Sequence, residues 1–184
     1  DSSDSSDSDD NRAQVVRLMP NTPFLIGEGA SGYCVGSKSI SPFTEEVTKQ
    51  ILKSCSKVLV RVDDEQDLHS VTAVSGSGSA YVLRFIEGMI ASGQEMGLSS
   101  DQARDLSIQT VIGAAELAAE KADDLEEVEK LRENVAASKK GTTAAALEEF
   151  KKRNFKDTIR ASTQKAKQRS IEIEKELHKE PENK

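Results

Sequence analysis

The apolar pattern changes period part-way along the chain. Residues 13–23, "AQVVRLMPNTP", are a short apolar run closed by Pro20 and Pro23, which predicts a buried strand. "GEGASGYCVGS" (27–37) is glycine-rich and predicts a second strand around Gly32 to Val35. In "TEEVTKQILKSC" (44–55) Val47, Ile51 and Leu52 recur at helical spacing, with Thr44, Glu45 and Glu46 suited to a first turn. "KVLVRV" (57–62) is a β-branched strand. The order β, β, α, β reads as the closing part of an α/β unit, because three strands with open edges make a poor sheet alone.

From residue 65 onward the period becomes helical. Residues 76–97 place Val82, Phe85, Ile86, Met89 and Ile90 on one stripe, Gly97 ends that helix, and Ser99-Ser100-Asp101 opens the next. Residues 101–121 carry a broad apolar face, 123–135 predict a short acidic helix, and 155–179 predict a long polar helix with a thin stripe of Phe155, Ile159, Ala166, Ile173 and Leu177. So thin a stripe needs a partner. The small residues Gly88, Ala91, Gly93, Ala114 and Ala115 suggest close helix crossings, and a second copy of the chain would supply the missing faces. The expectation is a homodimer or higher homo-oligomer.

Composition changes this picture mainly at the ends. The 184-residue chain has a net charge of −7, and "DSSDSSDSDD" at its start contributes five of those negative charges. Such a segment cannot bury enough apolar surface to order itself, so it reads as a disordered acidic tail. Cys34 and Cys55 stand at no metal-like spacing and form no disulfide framework. No apolar run approaches a membrane span and no leader precedes the first strand, so a cytoplasmic chain is expected. Residues 151–169 hold eight Lys/Arg against one acid, Asp157, but lack interleaved aromatics beyond Phe155; a solvated helix is expected rather than a nucleic-acid surface. His69 and His178 accompany no nucleophile or ligand set, His69 is expected at the surface or at a helix start, and no metal site is indicated.

The chemistry concentrates in "SKKGTTAAALEEF" (138–150). A glycine, two threonines and an amphipathic run place free backbone N–H groups at a helix mouth, where the helix dipole favours an anion. Gly141 allows close approach, Thr142 and Thr143 offer amides, and Lys139 and Lys140 stand beside them. Ordinary capping is the competing reading of the same letters.

Three stretches together resemble the pyrroline-5-carboxylate reductase family: "VVRLMPNTP" with the following "GEGASGYCVGS", then "LHSVTAVSGSGSAYVLRFIEGMIASGQEMGLSSDQARDLSIQTVIGAAEL" (68–117), then "LRENVAASKKGTTAAALEEF" (131–150). The resemblance implies a mainly α fold, with a remnant of a Rossmann-type sheet followed by a helical, dimer-forming domain. The expected divisions are an acidic tail over 1–12, the sheet remnant over 13–64 and the helical catalytic and dimerisation domain over 65–180. It implies hydride transfer from NADPH or NADH to a cyclic imine carrying a carboxylate, giving L-proline. By resemblance, Gly141, Thr142 and Thr143 bind that substrate, the Thr143 hydroxyl contacts the ring nitrogen as the catalytic group, and Asn21, Pro23 and Asn134 meet the cofactor.

The departures from the family pattern are equally informative. No G-x-G-x-x-G follows a strand and opens a helix, and "GEGASG" (27–32) matches those letters only loosely. The chain reads as lacking most of its cofactor domain. Ser79 stands where the family has proline and is expected to cap the following helix, and Lys139-Lys140 replace a Pro-Gly pair in the loop. The alternative is therefore a non-catalytic dimerisation or substrate-binding module, or a degenerate paralogue of the enzyme.

Overall fold

A computed structural model describes residues 15–36, 40–136, 138 and 141–178. The acidic tail, Lys139 and Lys140 lie outside the described residues. Two compact units divide the chain: residues up to Ser79 together with those from Thr163 onward, and residues Ala80–Ser162.

The first unit holds a three-stranded sheet of order β1-β2-β3, with β1 Val16–Met19, β2 Gly29–Val35 and β3 Ser56–Val62. β1 runs antiparallel to β2, pairing Val16 with Val35 and Met19 with Gly32. β2 and β3 are parallel, pairing Ala30 with Val58 and Cys34 with Val62, and helix α1 (Pro42–Lys53) connects them as a βαβ crossover. α1 begins earlier than the apolar pattern predicts, because the Ser41 hydroxyl accepts from the Thr44 amide at 3.0 Å and Pro42 takes the first helical position. Between β1 and β2 a 3-10 turn, Thr22–Ile26, ends at Gly27, whose φ of 78° suits a residue without Cβ. Gly29 and Gly32 of the loose "GEGASG" match lie inside β2, so that stretch is strand and not a phosphate loop.

The core of this unit is small and part polar. Tyr33, Cys34, Leu68 and Ala73 are buried, along with Ser31, Ser56 and His69. The Ser31 and Ser56 hydroxyls bond to each other at 2.7 Å across β2 and β3. The Tyr33 hydroxyl donates to Glu45 at 3.1 Å, and Lys49 and Arg61 both pair with the same carboxylate. Burial, aided by the Glu45 hydrogen bond, pushes the Tyr33 phenol up, while the Lys49 and then the Arg61 hydrogen bonds hold Glu45 below the usual carboxylate range.

A helical path starts at α2 (Leu68–Val71), widens into a π-turn over Thr72–Gly76 and continues into α3 (Gly78–Glu95). The wide turn is marked by the Ser77 amide bonding to the Thr72 carbonyl at 2.7 Å. Gly32 and Gly76 let this path lie against the sheet: a Cβ on Gly32 would meet Val71 at 2.6 Å, and one on Gly76 would meet Met19 at 2.6 Å. Ser79 therefore sits inside a helix already under way and is not a cap, contrary to the expectation from sequence. His69 is a helix-start residue but is buried, not superficial, because the C-terminal part of α7 (Phe155–Leu177) covers it.

In the second unit, α3 turns at Gly97 (φ 99°) into α4 (Ser100–Lys121), which opens with a capping box of Ser99 and Gln102. The pair crosses closely where a Cβ on Gly93 would lie 3.0 Å from the Ala103 Cβ. α5 (Leu125–Val135) starts at Asp124, whose carboxylate accepts from the Glu127 amide at 2.9 Å. α6 (Thr142–Lys152) joins α7 through Asn154, at φ 52°. Phe155 stacks on Phe150 at 4.7 Å and meets Phe85 of α3 at 6.3 Å. Large apolar side chains stay exposed on every long helix of this unit, among them Leu83 (64%), Leu106 (59%) and Leu125 (68%).

Candidate functional site

The local sequence makes the mouth of α6 open. Gly141 occupies the N-cap in an extended conformation (φ −80°, ψ 167°) and, having no side chain, offers the helix no acceptor. Its own amide bonds to the Ser138 carbonyl at 2.9 Å, folding the loop back on itself. A Cβ on Gly141 would lie 3.1 Å from the Ser138 Cβ, a tight contact that the loop would have to shift to accommodate. The first amide to find an acceptor is that of Ala145, bonded to the Gly141 carbonyl at 3.2 Å.

The amides of Thr142, Thr143 and Ala144 have no acceptor among the described residues, and neither threonine hydroxyl is engaged there. Both threonines are exposed. The competing reading, an ordinary threonine cap, is thereby set aside: the threonines lie within the helix, and the cap position is a glycine. Three parallel N–H donors at the positive end of an 11-residue helix suit a carboxylate or a similar small anion.

The remaining candidates divide between the two units. Asn134 lies in the last turn of α5, in the same unit as the α6 mouth, with an exposed side chain and a carbonyl used by the Ala136 amide. Asn21 and Pro23 belong to the sheet-bearing unit. The Asn21 side-chain oxygen accepts from the Ala30 amide at 3.0 Å, which ties the 3-10 turn to β2, and the Pro23 carbonyl accepts from the Glu28 amide at 3.0 Å. These two residues thus have demonstrable local structural work. No strand–glycine turn–helix with free amides occurs among the described residues: after β2 the next helix is capped by Ser41. The described residues therefore do not fit the pyrophosphate of a dinucleotide.

The acidic stretch 123–129 is mostly occupied by structure. Asp124 caps α5, Glu127 accepts from the Asp123 amide at 2.7 Å, and Glu129 pairs with Lys156 of α7 at 2.6 Å. Lys156 holds the Glu129 carboxyl below its usual range. No group of three or more His, Cys, Asp or Glu positioned to hold a metal occurs among the described residues.

Two features escaped the sequence. One is a groove of about 890 Å³ between α5, α6 and the start of α7, lined by Leu125, Val128, Leu147, Phe150 and Phe155, with Ala144 of the α6 mouth on its wall. Its residues come from α5, α6 and α7 with Phe85 of α3 added, and nothing in their separate stripes announces it. The other is a Ser–His–Glu constellation: His69 Nδ1 lies 2.8 Å from Ser170 Oγ, and Nε2 lies 3.1 Å from Glu174 Oε2. The two hydrogen bonds span 101 and 105 residues, so spacing could not reveal them. The constellation is no hydrolytic triad, because Ser170 sits within α7, where backbone amides are spent in the helix and none forms an oxyanion hole.

Comparison with known proteins gives these geometries a context. The family model described as pyrroline-5-carboxylate reductase dimerisation matches residues 65–173. A pyrroline-5-carboxylate reductase of Pseudomonas aeruginosa is 38% identical over 163 residues, covering 89% of this chain and 58% of that protein. A Plasmodium falciparum pyrroline carboxylate reductase, solved with NADP bound, superposes with a TM-score of 0.77 at 35% identity, over 85% of this chain and 59% of that one. A pyrroline-5-carboxylate reductase of Coxiella burnetii gives a TM-score of 0.79 at 28% identity, over 88% and 57%. The chain thus spans a little under three-fifths of the length of these relatives.

Proposed function

The chain belongs to the pyrroline-5-carboxylate reductase family, and from that premise we propose that it supplies the substrate-binding and dimer-forming part of such a reductase, acting in proline biosynthesis. The observation that carries the reading is the set of three amides at the head of α6 without an acceptor among the described residues. Pyrroline-5-carboxylate is a small cyclic imine bearing one carboxylate. The amides of Thr142 and Thr143 bind that carboxylate, and Gly141 leaves room for it. Charge-assisted hydrogen bonds of this kind contribute about 1.5–3 kcal/mol each. The Thr143 hydroxyl, free among the described residues, reaches the ring nitrogen and stabilises it as it gains its proton.

A nicotinamide cofactor, NADPH or NADH, supplies the hydride when bound. The family resemblance assigns cofactor contact to Asn21 and Pro23 in the sheet-bearing unit and, separately, to Asn134 in the helical unit. Since no cradle for its phosphates exists among the described residues, this polypeptide purified alone is expected to bind L-proline but to turn over very little. Turnover matching that of a full-length relative would contradict this reading.

The second copy is part of the same proposal. The α5–α6–α7 groove and the exposed apolar faces of α3 and α4 are surfaces that a homodimer covers. A non-catalytic module that keeps the carboxylate pocket is the alternative, since no phosphate cradle occurs among the described residues. L-Proline should protect the chain against heat under both readings, and Thr143→Val should abolish most of that protection; undiminished protection would remove Thr143 from the site.

A further inference from the structure

We propose that the distal half of α7, residues 163–177, is a strap that docks on the sheet-bearing unit through the buried His69 imidazole and detaches when Glu174 loses its charge. Ser170 and Glu174 stand one helical turn apart on the same face of α7, and together they fill both ring nitrogens of His69. An ionised carboxylate only accepts hydrogen bonds, so Nε2 carries a hydrogen toward Glu174. With a neutral ring, Nδ1 then accepts from the Ser170 hydroxyl. The His69 side chain is 9% exposed, and α7 supplies both of its polar partners. Removing the strap strips a buried imidazole of both hydrogen bonds.

Apolar contact is only part of the hold: α7 buries no residue fully, Ile173 and Leu177 are exposed, and Ile171 is half-buried. The charges facing the pair come from two further elements. Arg17 of β1 lies 3.7 Å from Glu174 and also pairs with Glu65, in the turn just before α2; Gln66 of that turn adds a hydrogen bond to Glu174. One arginine thus serves two carboxylates, and among the groups facing Glu174 the His69 hydrogen bond lowers its pKa most. The His69 hydrogen bond, helped by Arg17, holds the Glu174 carboxyl below the usual carboxylate range. A group with a lowered folded-state pKa contributes its stabilisation above its ordinary value and loses it as pH falls through the lowered one. Detachment therefore belongs to the acid side. Once detached, so polar a helical segment is marginal in water and frays.

Hydrogen exchange on the full chain, read peptide by peptide, tests this. At pH 7, Glu174→Gln keeps an acceptor for Nε2 but removes the charge. It should lower protection of residues 166–177 by about tenfold, the factor a single charge-assisted hydrogen bond supplies, while β2 stays protected. Glu176→Gln, which breaks only an exposed pair with Arg169 on the same helix, should change it less than about twofold. In the parent chain, protection of the strap corrected for intrinsic rate should hold down to about pH 4.5 and fall below it, and in Glu174→Gln that acid loss should be absent. Unchanged strap protection in Glu174→Gln overturns the proposal. So does a loss shared equally with β2, or an acid loss that persists in the variant.

Discussion

Replacing Thr142 by proline removes a single backbone N–H from the α6 mouth and disturbs little else. Thr142 is the first residue of α6, its amide has no acceptor among the described residues, and its side chain is exposed. Proline at the first helical position costs no intrahelical hydrogen bond and has the φ a helix needs. The preceding residue, Gly141, already holds φ −80° and ψ 167°, the extended geometry that proline imposes on its predecessor. Thr142→Pro should therefore leave stability within roughly 0.5 kcal/mol of the parent. If the amide binds a carboxylate, its loss removes one charge-assisted hydrogen bond of about 1.5–3 kcal/mol, or roughly 10–150-fold in Kd. Calorimetric titration with L-proline measures the affinity, and thermal unfolding without ligand measures the fold. Thr142→Ala, which keeps the amide, should bind nearly as the parent does. An unaltered proline affinity in Thr142→Pro, with an unaltered melting temperature, would refute the anion cradle.

Other substitutions test the scaffold. Gly32→Ala sets a Cβ 2.6 Å from Val71 and should destabilise the sheet-bearing unit by about 1–3 kcal/mol, read as a lower denaturant midpoint. Ser31→Ala strands the buried Ser56 hydroxyl and should cost about 1–3 kcal/mol in the same assay, whereas the double change to alanine should recover part of that loss. Glu45, held low by Lys49 and Arg61, contributes stability above the ordinary carboxylate range and loses it as pH falls. Glu45→Gln should flatten the acid limb of melting temperature against pH, and a limb as steep as the parent's would show that other carboxylates dominate it.

Sequence reasoning reached the elements whose signals are local. The β-branched run at 57–62, the Gly97 stop, the Ser99 start and the glycine–threonine helix mouth each rest on neighbouring residues, and each appears in the fold. It placed the onset of helical period and the start of the long helix but not their continuity, because the run Ser75-Gly76-Ser77-Gly78 reads as a break while the π-turn at Thr72–Gly76 carries the path through. The placement of Ser79 as a cap failed for the same reason. Buried His69 was illegible, since its partners lie a hundred residues away on a helix whose polar face reads as solvated. The distinction between a threonine cap and an open mouth was also illegible, because it depends on whether Gly141 or a hydroxyl residue takes the N-cap, a difference of one position.

The central claim is that the head of α6 is a carboxylate cradle, and an amide-resolved NMR titration with L-proline tests it most directly. The amide protons of Thr142, Thr143 and Ala144 should move downfield together along one saturating curve, with smaller changes elsewhere. Resonances of those three amides that stay fixed while others respond, or that stay fixed at saturating proline with no response anywhere, would contradict the account.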